Sequence, residues 1–280
     1  MKSSRSTRPH VPRFLSLYSA FFHAVKINSG LAATSFNRLV DSSFDSIDSE
    51  LEARVDGGFR VRVDTRDYHG RVLWVHGSND RMVSRVVNAL LRSGDILLDI
   101  GASYASIGLA AAERVGPLGH IHLFEPQPSI AQAVDAAIRQ ADVANVSLHE
   151  LALFSDGHPH APKARSAGEF VAQLVGARPF GVKIDIEEVE PDVLSDLLPF
   201  PQLRFIVCEG GGNERWLFER LVSAGFALFG LKGSPLRSRV ERVDAFSQRP
   251  GYRDVVAVRP SGTQLPKSLP LQRLAALSDG

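Results

Sequence analysis

The segment Leu97–Gly108, LLDIGASYASIG, places an acid and a glycine where an apolar run gives way to a helical pattern. If that run is a buried parallel strand, the turn lies at the carboxyl edge of a sheet, where ligands bind at a reversal of strand order. Gly101 lets the backbone come close to a ligand, and Asp99 can hold an ammonium group or orient the loop. A glycine kept only for strand-to-helix packing is the plainer alternative. Glu125, in HLFEPQP, follows 24 residues after Gly101, at the end of the next apolar run. A carboxylate there can accept hydrogen bonds from both hydroxyls of an adenosine ribose, so the pair argues for a nucleoside ligand. The loop lacks the second and third glycines with which a pyrophosphate lies against a helix end, and Asp99 repels phosphate. A ligand with an amino group and no phosphate fits better, which favours S-adenosylmethionine over NAD.

Other polar residues carry weaker signals. His120 and His122 are two apart on one strand and share a face, but no third ligand has matching spacing, so they read as structural. His158 and His160 flank Pro159 in a loop and could touch an acceptor. Asp185, Glu187 and Glu209 stand at strand ends and could offer oxygen ligands to Mg²⁺, although the site as read needs no metal. Trp74 and Trp216 read as core or pocket-wall aromatics. No Ser-His-Asp arrangement, P-loop or HExxH is present.

The elements that must position these residues follow from periodicity. Short apolar runs at 96–100, 121–124, 146–154, 182–186 and 205–208 read as strands, with helices between them at 107–115, 130–141, 170–175 and 192–198. Runs buried on both faces and alternating with helices imply a parallel sheet with crossover helices on each side. After a helix over 214–224, residues 226–231 and 254–258 read as two final strands. Upstream, the alternation at 59–63 and the apolar stretch 72–75 read as a hairpin, followed by a helix from Met82 to Leu91. The organisation predicted is a basic, mobile arm over 1–40, a hairpin and helix extension over 41–94, the main domain over 95–260, and a tail over 261–280 with a short apolar helix at 271–277.

Composition narrows the classes. With 280 residues, 44% hydrophobic and 22% charged, the chain can form one large α/β domain. Its 32 basic and 31 acidic residues provide no overall field for nucleic acid. The single cysteine, Cys208, excludes an internal disulfide or a Cys-ligated cluster and suits a reducing compartment, so a cytoplasmic location is expected. No apolar run reaches the ~18–20 residues that span a bilayer. Before Asp41 there is no acidic residue, while Lys2, Arg5, Arg8, Arg13, Lys26 and Arg38 are basic. The run FLSLYSAFFHAV within this arm has two serines, His23 and a poor cleavage site, unlike an export signal. Phe14, Leu17, Phe21 and Val25 fall at helical spacing, a stripe that could dock on the core or make peripheral contact with an anionic membrane.

Five motifs in order, RSGDILLDIGAS, LFEPQP, VSLHELALFSDG, VKIDIEEVEPDVL and FIVCEGG, resemble those of the FkbM-type methyltransferases, class I S-adenosylmethionine-dependent enzymes that often O-methylate sugars, polyketides and other natural products. The resemblance runs from Tyr68 to Val258. It implies a Rossmann-like, seven-stranded, mostly parallel α/β sheet with helices on both faces, the last strand inserted antiparallel beside its neighbour. It places Asp99, Gly101, Ala102 and Ser103 on the methionine side of the cofactor, Glu125 on the ribose, and Leu151 and Ala152 beside the adenine. Asp185 would sit beside the reacting methyl, as a catalytic and cofactor-contacting residue, with Glu187 the second catalytic candidate and Glu190 beyond; the acids alternatively form the solvated first turn of a helix. The chain departs from the family at Ser103, at Ala105 and at Glu188. A methyl at Ala105 requires φ to stay negative. The segment 158–181 is short, which alters or opens the acceptor pocket. The expected function is O-methylation of a small-molecule or glycan hydroxyl; the alternatives are a non-catalytic binding module of the same fold and an NAD-type dehydrogenase, which the glycine-poor loop disfavours.

Overall fold

The computed structural model describes residues 11–26, 42–44, 47, 50–154, 164–186, 190–209, 214–233, 238–246, 252, 254–260 and 268–270. Its helices are α1 (Arg13–Val25), α2 (Tyr68–His76), α3 (Arg81–Leu90), α4 (Ser106–Val115), α5 (Pro128–Ala141), α6 (Ala167–Val175), α7 (Glu190–Leu197) and α8 (Glu214–Ser223). Its strands are β1 (Glu50–Arg54), β2 (Arg60–Asp64), β3 (Ile96–Ile100), β4 (His120–Phe124), β5 (Val146–His149), β6 (Ala152–Phe154), β7 (Ala164–Ser166), β8 (Phe180–Ile184), β9 (Leu203–Glu209), β10 (Ala227–Gly233), β11 (Ser238–Arg242), β12 (Asp254–Val258) and β13 (Ser268–Pro270).

The central sheet has the order β13-β11-β10-β12-β9-β8-β3-β4-β5. From β5 to β9 all neighbours are parallel, and β12 enters antiparallel between β9 and β10. This is the Rossmann-like sheet with an inserted antiparallel strand that the family resemblance implies. It is wider than expected: β11 and β13 extend the edge, so this sheet has nine strands rather than seven among the described residues. The five residues of β3 and those of β8 are all buried. Their side chains alternate between two cores, Leu97 facing one that includes α3, α4 and α5, and Ile96, Leu98 and Ile100 facing one that includes α6, α7 and α8. Helices therefore cover both faces.

The N-terminal region folds differently from its periodicity. The strand expected at 59–63 exists as β2, but it pairs with β1, which precedes it, through the turn Asp56-Gly57-Gly58 whose glycines have φ of +99° and +91°. Residues 72–75 belong to α2 and not to a strand. Local capping decides this: the Asp67 carboxylate accepts from the Gly70 amide at 2.9 Å, and Gly77, at φ +74°, closes the helix. The run 146–154 is split, β5 joining the main sheet while β6 pairs with β7 in a separate two-stranded one. Part of the basic arm is not free: α1 buries Leu15, Ser19 and Phe22, and the Ser19 hydroxyl donates to the Trp74 carbonyl at 3.0 Å. The stripe Phe14, Leu17, Phe21 and Val25 instead faces outward. The helix expected at 271–277 lies outside the described residues. No described helix is long and apolar enough to cross a membrane.

Strands β4 and β5 also assemble a histidine column. His122 Nδ1 lies 3.0 Å from His149 Nε2, and the His120 and His122 rings are 4.6 Å apart. The third histidine, absent from the one-strand spacing, comes from the neighbouring strand. Burial, then its positive neighbours, pushes His122 down to about 3, and burial likewise pushes His76 of α2 down to about 4. Unfolded histidine takes up its proton near pH 6.5, so the stability these neutral rings carry is complete above that pH and lost as pH falls towards the folded values. Between pH 7 and 5 each should remove about 2 kcal/mol from the unfolding free energy. Urea titrations at the two pH values test this, and His122→Phe should recover its share; a pH-independent midpoint would refute the assignment.

Candidate active site

A cleft of about 590 Å³ opens at the carboxyl ends of β3, β4, β8 and β9, where β3 lies between β4 on one side and β8 on the other. This is the reversal of strand order at which open α/β sheets bind ligands. The far wall comes from the N-terminal extension, through Tyr68 and His76 of α2, Asn79 and Asp80 of the following turn, and Val83 of α3.

The loop after β3 forms the floor. Gly101 has φ +72°, and a Cβ there would stand 2.0 Å from the Asp185 carbonyl oxygen. Its glycine is thus required by the chain crossing from β8, not by the approach of a ligand. Ser103 and Ala105 are also left-handed, at φ +49° and +56°. The expectation that Ala105 keeps a negative φ is overturned: the loop holds the left-handed turn that a glycine would fill at no cost, and its methyl raises the energy by about 1–2 kcal/mol. The turn is held by the Ala105 amide donating to the Ala102 carbonyl at 2.7 Å and by the first turn of α4, where the Leu109 amide donates to the Ala105 carbonyl at 2.9 Å.

Glu125, 3% exposed, lines the cleft and ties its two sides together. One carboxylate oxygen accepts the Ser103 amide at 2.9 Å and the other accepts the Gln127 amide at 2.8 Å. Burial pushes its pKa up, and the two amides and Lys183 pull it back. Each oxygen keeps a lone pair for a hydroxyl from the cleft.

Asp99 does not reach the cleft. It is fully buried, with one oxygen accepting the Gly108 amide at 2.9 Å and the other 3.2 Å from the Lys183 ammonium. It does hold an ammonium group, as its charge suggested, but one from the adjacent strand, where Asp99 and Lys183 stand side by side in register. Lys183 donates to the Gly101 carbonyl at 2.7 Å and lies 3.8 Å from the Asp185 carboxylate. Burial acts to lower its pKa, but Asp99, Asp185 and Glu125 outweigh this and raise it, so Lys183 stays protonated.

The cleft brings together Gly101, Ala102, Ser103, Glu125 and Asp185 of the residues singled out from sequence. Asp185 follows β8, and its side chain is half exposed to the opening. Leu151 and Ala152 are half-buried and do not line the cleft. Glu187, Glu188, His158 and His160 lie outside the described residues. Among the described residues no three His, Cys, Asp or Glu side chains are grouped to hold a metal ion. Sequence reasoning missed Lys183 and the wall from the extension. A charged residue inside the buried run FGVKI was the available signal for Lys183; for His76 and Asn79 there was none, since their place depends on how the extension docks. That docking is fixed by the Asn79 amide donating to the Ser106 hydroxyl at 3.1 Å and by the Asp64 amide donating to the Tyr104 hydroxyl at 3.3 Å.

Solved structures with a similar chain course include several described as methyltransferases. They include the precorrin-6y C5,15-methyltransferase of Geobacter metallireducens, at 16% identity and a TM-score of 0.41 over 64% of this chain and 88% of that one. The methyltransferase FkbM of Methylobacillus flagellatus matches at 14% identity and a TM-score of 0.44, over 60% of this chain and 45% of that one. Fibrillarin of Aeropyrum pernix, solved with S-adenosyl-L-methionine bound, matches at 16% identity and a TM-score of 0.38, over 64% and 74% of the two chains. No protein-family model matches the chain, and no curated protein does.

Proposed function

We propose that the protein is an S-adenosylmethionine-dependent methyltransferase that O-methylates a hydroxyl of a small molecule, sugar or natural product. The observation that carries this reading is the placement of Glu125. A buried carboxylate at the end of the strand beside β3 presents unused acceptor capacity to the cleft at the height of the β3 loop, as a nucleoside ribose requires. The donor set fits this cofactor and disfavours a dinucleotide: the Ser103 and Gly108 amides, which a phosphate would need, are engaged by Glu125 and Asp99, and both partners are acids. When bound, S-adenosylmethionine supplies a methyl group on a sulfonium centre. An acidic cleft suits that positive charge, and its volume lies within the usual range for small-molecule sites. In this reading Asp185, at the mouth beside Lys183, orients an acceptor hydroxyl and takes its proton.

Calorimetry on the folded protein tests the cofactor. S-adenosylmethionine and S-adenosylhomocysteine should bind and NAD should not. Glu125→Ala should weaken binding by ~1.5–3 kcal/mol, the range for a lost hydrogen bond to a charged group. Absence of heat with either sulfur compound would defeat the proposal.

A further inference from the structure

Helix α1 docks with one flank and leaves a second apolar flank uncovered. Phe14, Leu17, Phe21 and Val25 are 48%, 72%, 53% and 40% exposed in the folded chain, whereas Leu15, Ser19 and Phe22 are buried. At 100° per residue the exposed four fall within an arc of about 80°, centred about 120° round the helix from the docked three. The docked flank fixes the helix: Ser19 is hydrogen-bonded to the Trp74 carbonyl, and the Phe22 ring lies 4.5 Å from that of His76. The outward stripe is thus presented on a preformed helix, with no folding step left for a partner to drive.

Charge identifies the partner. The first 40 residues carry six basic side chains and no acid, while the other 240 residues carry a net charge of −5. The apolar stripe therefore belongs to the basic, acid-free segment of the sequence, with Arg13 opening α1 and Lys26 directly after it, while the rest of the chain is net acidic. A second copy pairing through this stripe would bring two basic segments together with no acid among them. An anionic lipid surface attracts a basic segment and accepts the inserted apolar side chains, which is the physics of an interfacial helix. We propose that α1 seats the protein on anionic membranes, with Phe14, Leu17, Phe21 and Val25 inserted below the headgroups. This goes beyond the methyltransferase reading and stands or falls independently of it.

Co-sedimentation of the full chain with vesicles tests the proposal. Vesicles of phosphatidylcholine containing phosphatidylglycerol should bind at least about tenfold more protein than phosphatidylcholine alone, and raising salt from about 0.1 to about 1 M should remove most of that difference. Leu17→Glu with Phe21→Glu alters only outward side chains, so the double variant should keep the wild-type melting temperature and lose about tenfold or more in vesicle binding. Protein that stays in solution with both vesicle types overturns the proposal. So does a double variant that binds as wild type, which would assign binding to the basic residues alone. A concentration-dependent dimer that the double variant abolishes, without vesicle binding by the wild type, would show that the stripe meets a second copy instead.

Discussion

Lys183→Met is expected to destabilise the protein by about 3–5 kcal/mol, because it leaves a carboxylate without a counter-charge in a fully buried position. Asp99 has no exposure, and of its two oxygens only one is held by a backbone amide; the other faces the Lys183 ammonium at 3.2 Å. Lys183 also bonds the Gly101 carbonyl, so its loss releases the crossing of the β3 loop over the end of β8 as well as the charge. The companion variant separates the two effects. In Asp99→Asn with Lys183→Met the buried charge is gone and the amide oxygen can still accept from Gly108, so the double variant should be more stable than Lys183→Met alone. Chemical denaturation of the four proteins in a mutant cycle measures this coupling. A Lys183→Met loss below about 1 kcal/mol would mean that water reaches Asp99 and that the pair is not the keystone of the loop.

Under the proposed function, Asp185→Asn is expected to lower methyl transfer by ~10²–10⁴-fold while leaving S-adenosylmethionine affinity nearly unchanged. The side chain reaches the mouth of the cleft half exposed, while Lys183 anchors the strand end 3.8 Å away. Asparagine keeps the shape and can still orient a hydroxyl, but it cannot take a proton, so the loss should fall on turnover rather than on binding. Transfer of a labelled methyl group to a panel of hydroxyl acceptors, with calorimetry of the cofactor in parallel, reads both quantities. Equal losses in rate and affinity would make Asp185 a cofactor-holding residue. An unchanged rate would move the base elsewhere in the cleft.

The alternation of central strands and helices from Asp95 onward is legible in the sequence, because strands such as β3 and β8 are short runs buried on both faces and are separated by helical spacing. The sequence by itself also determined the place of the loop after β3 and of the acid ending β4, since strand ends in a parallel sheet share one edge. What it misjudged was local: the hairpin partner of β2 and the helical state of residues 72–75, where the Asp67 cap and the Gly77 terminus outweigh a short apolar run. It also misjudged the backbone of Ala105, whose left-handed φ is imposed by the turn around it and not by its own preference. That Asp99 serves Lys183 rather than a ligand is an outcome of tertiary packing, because the pairing arises from register between β3 and β8, two strands more than 80 residues apart in sequence. The same holds for His149 completing the histidine column and for α1 turning its predicted stripe outward. Period and composition mark which side chains can be buried; the choice between two apolar flanks of one helix is made by the shape of the surface that receives it.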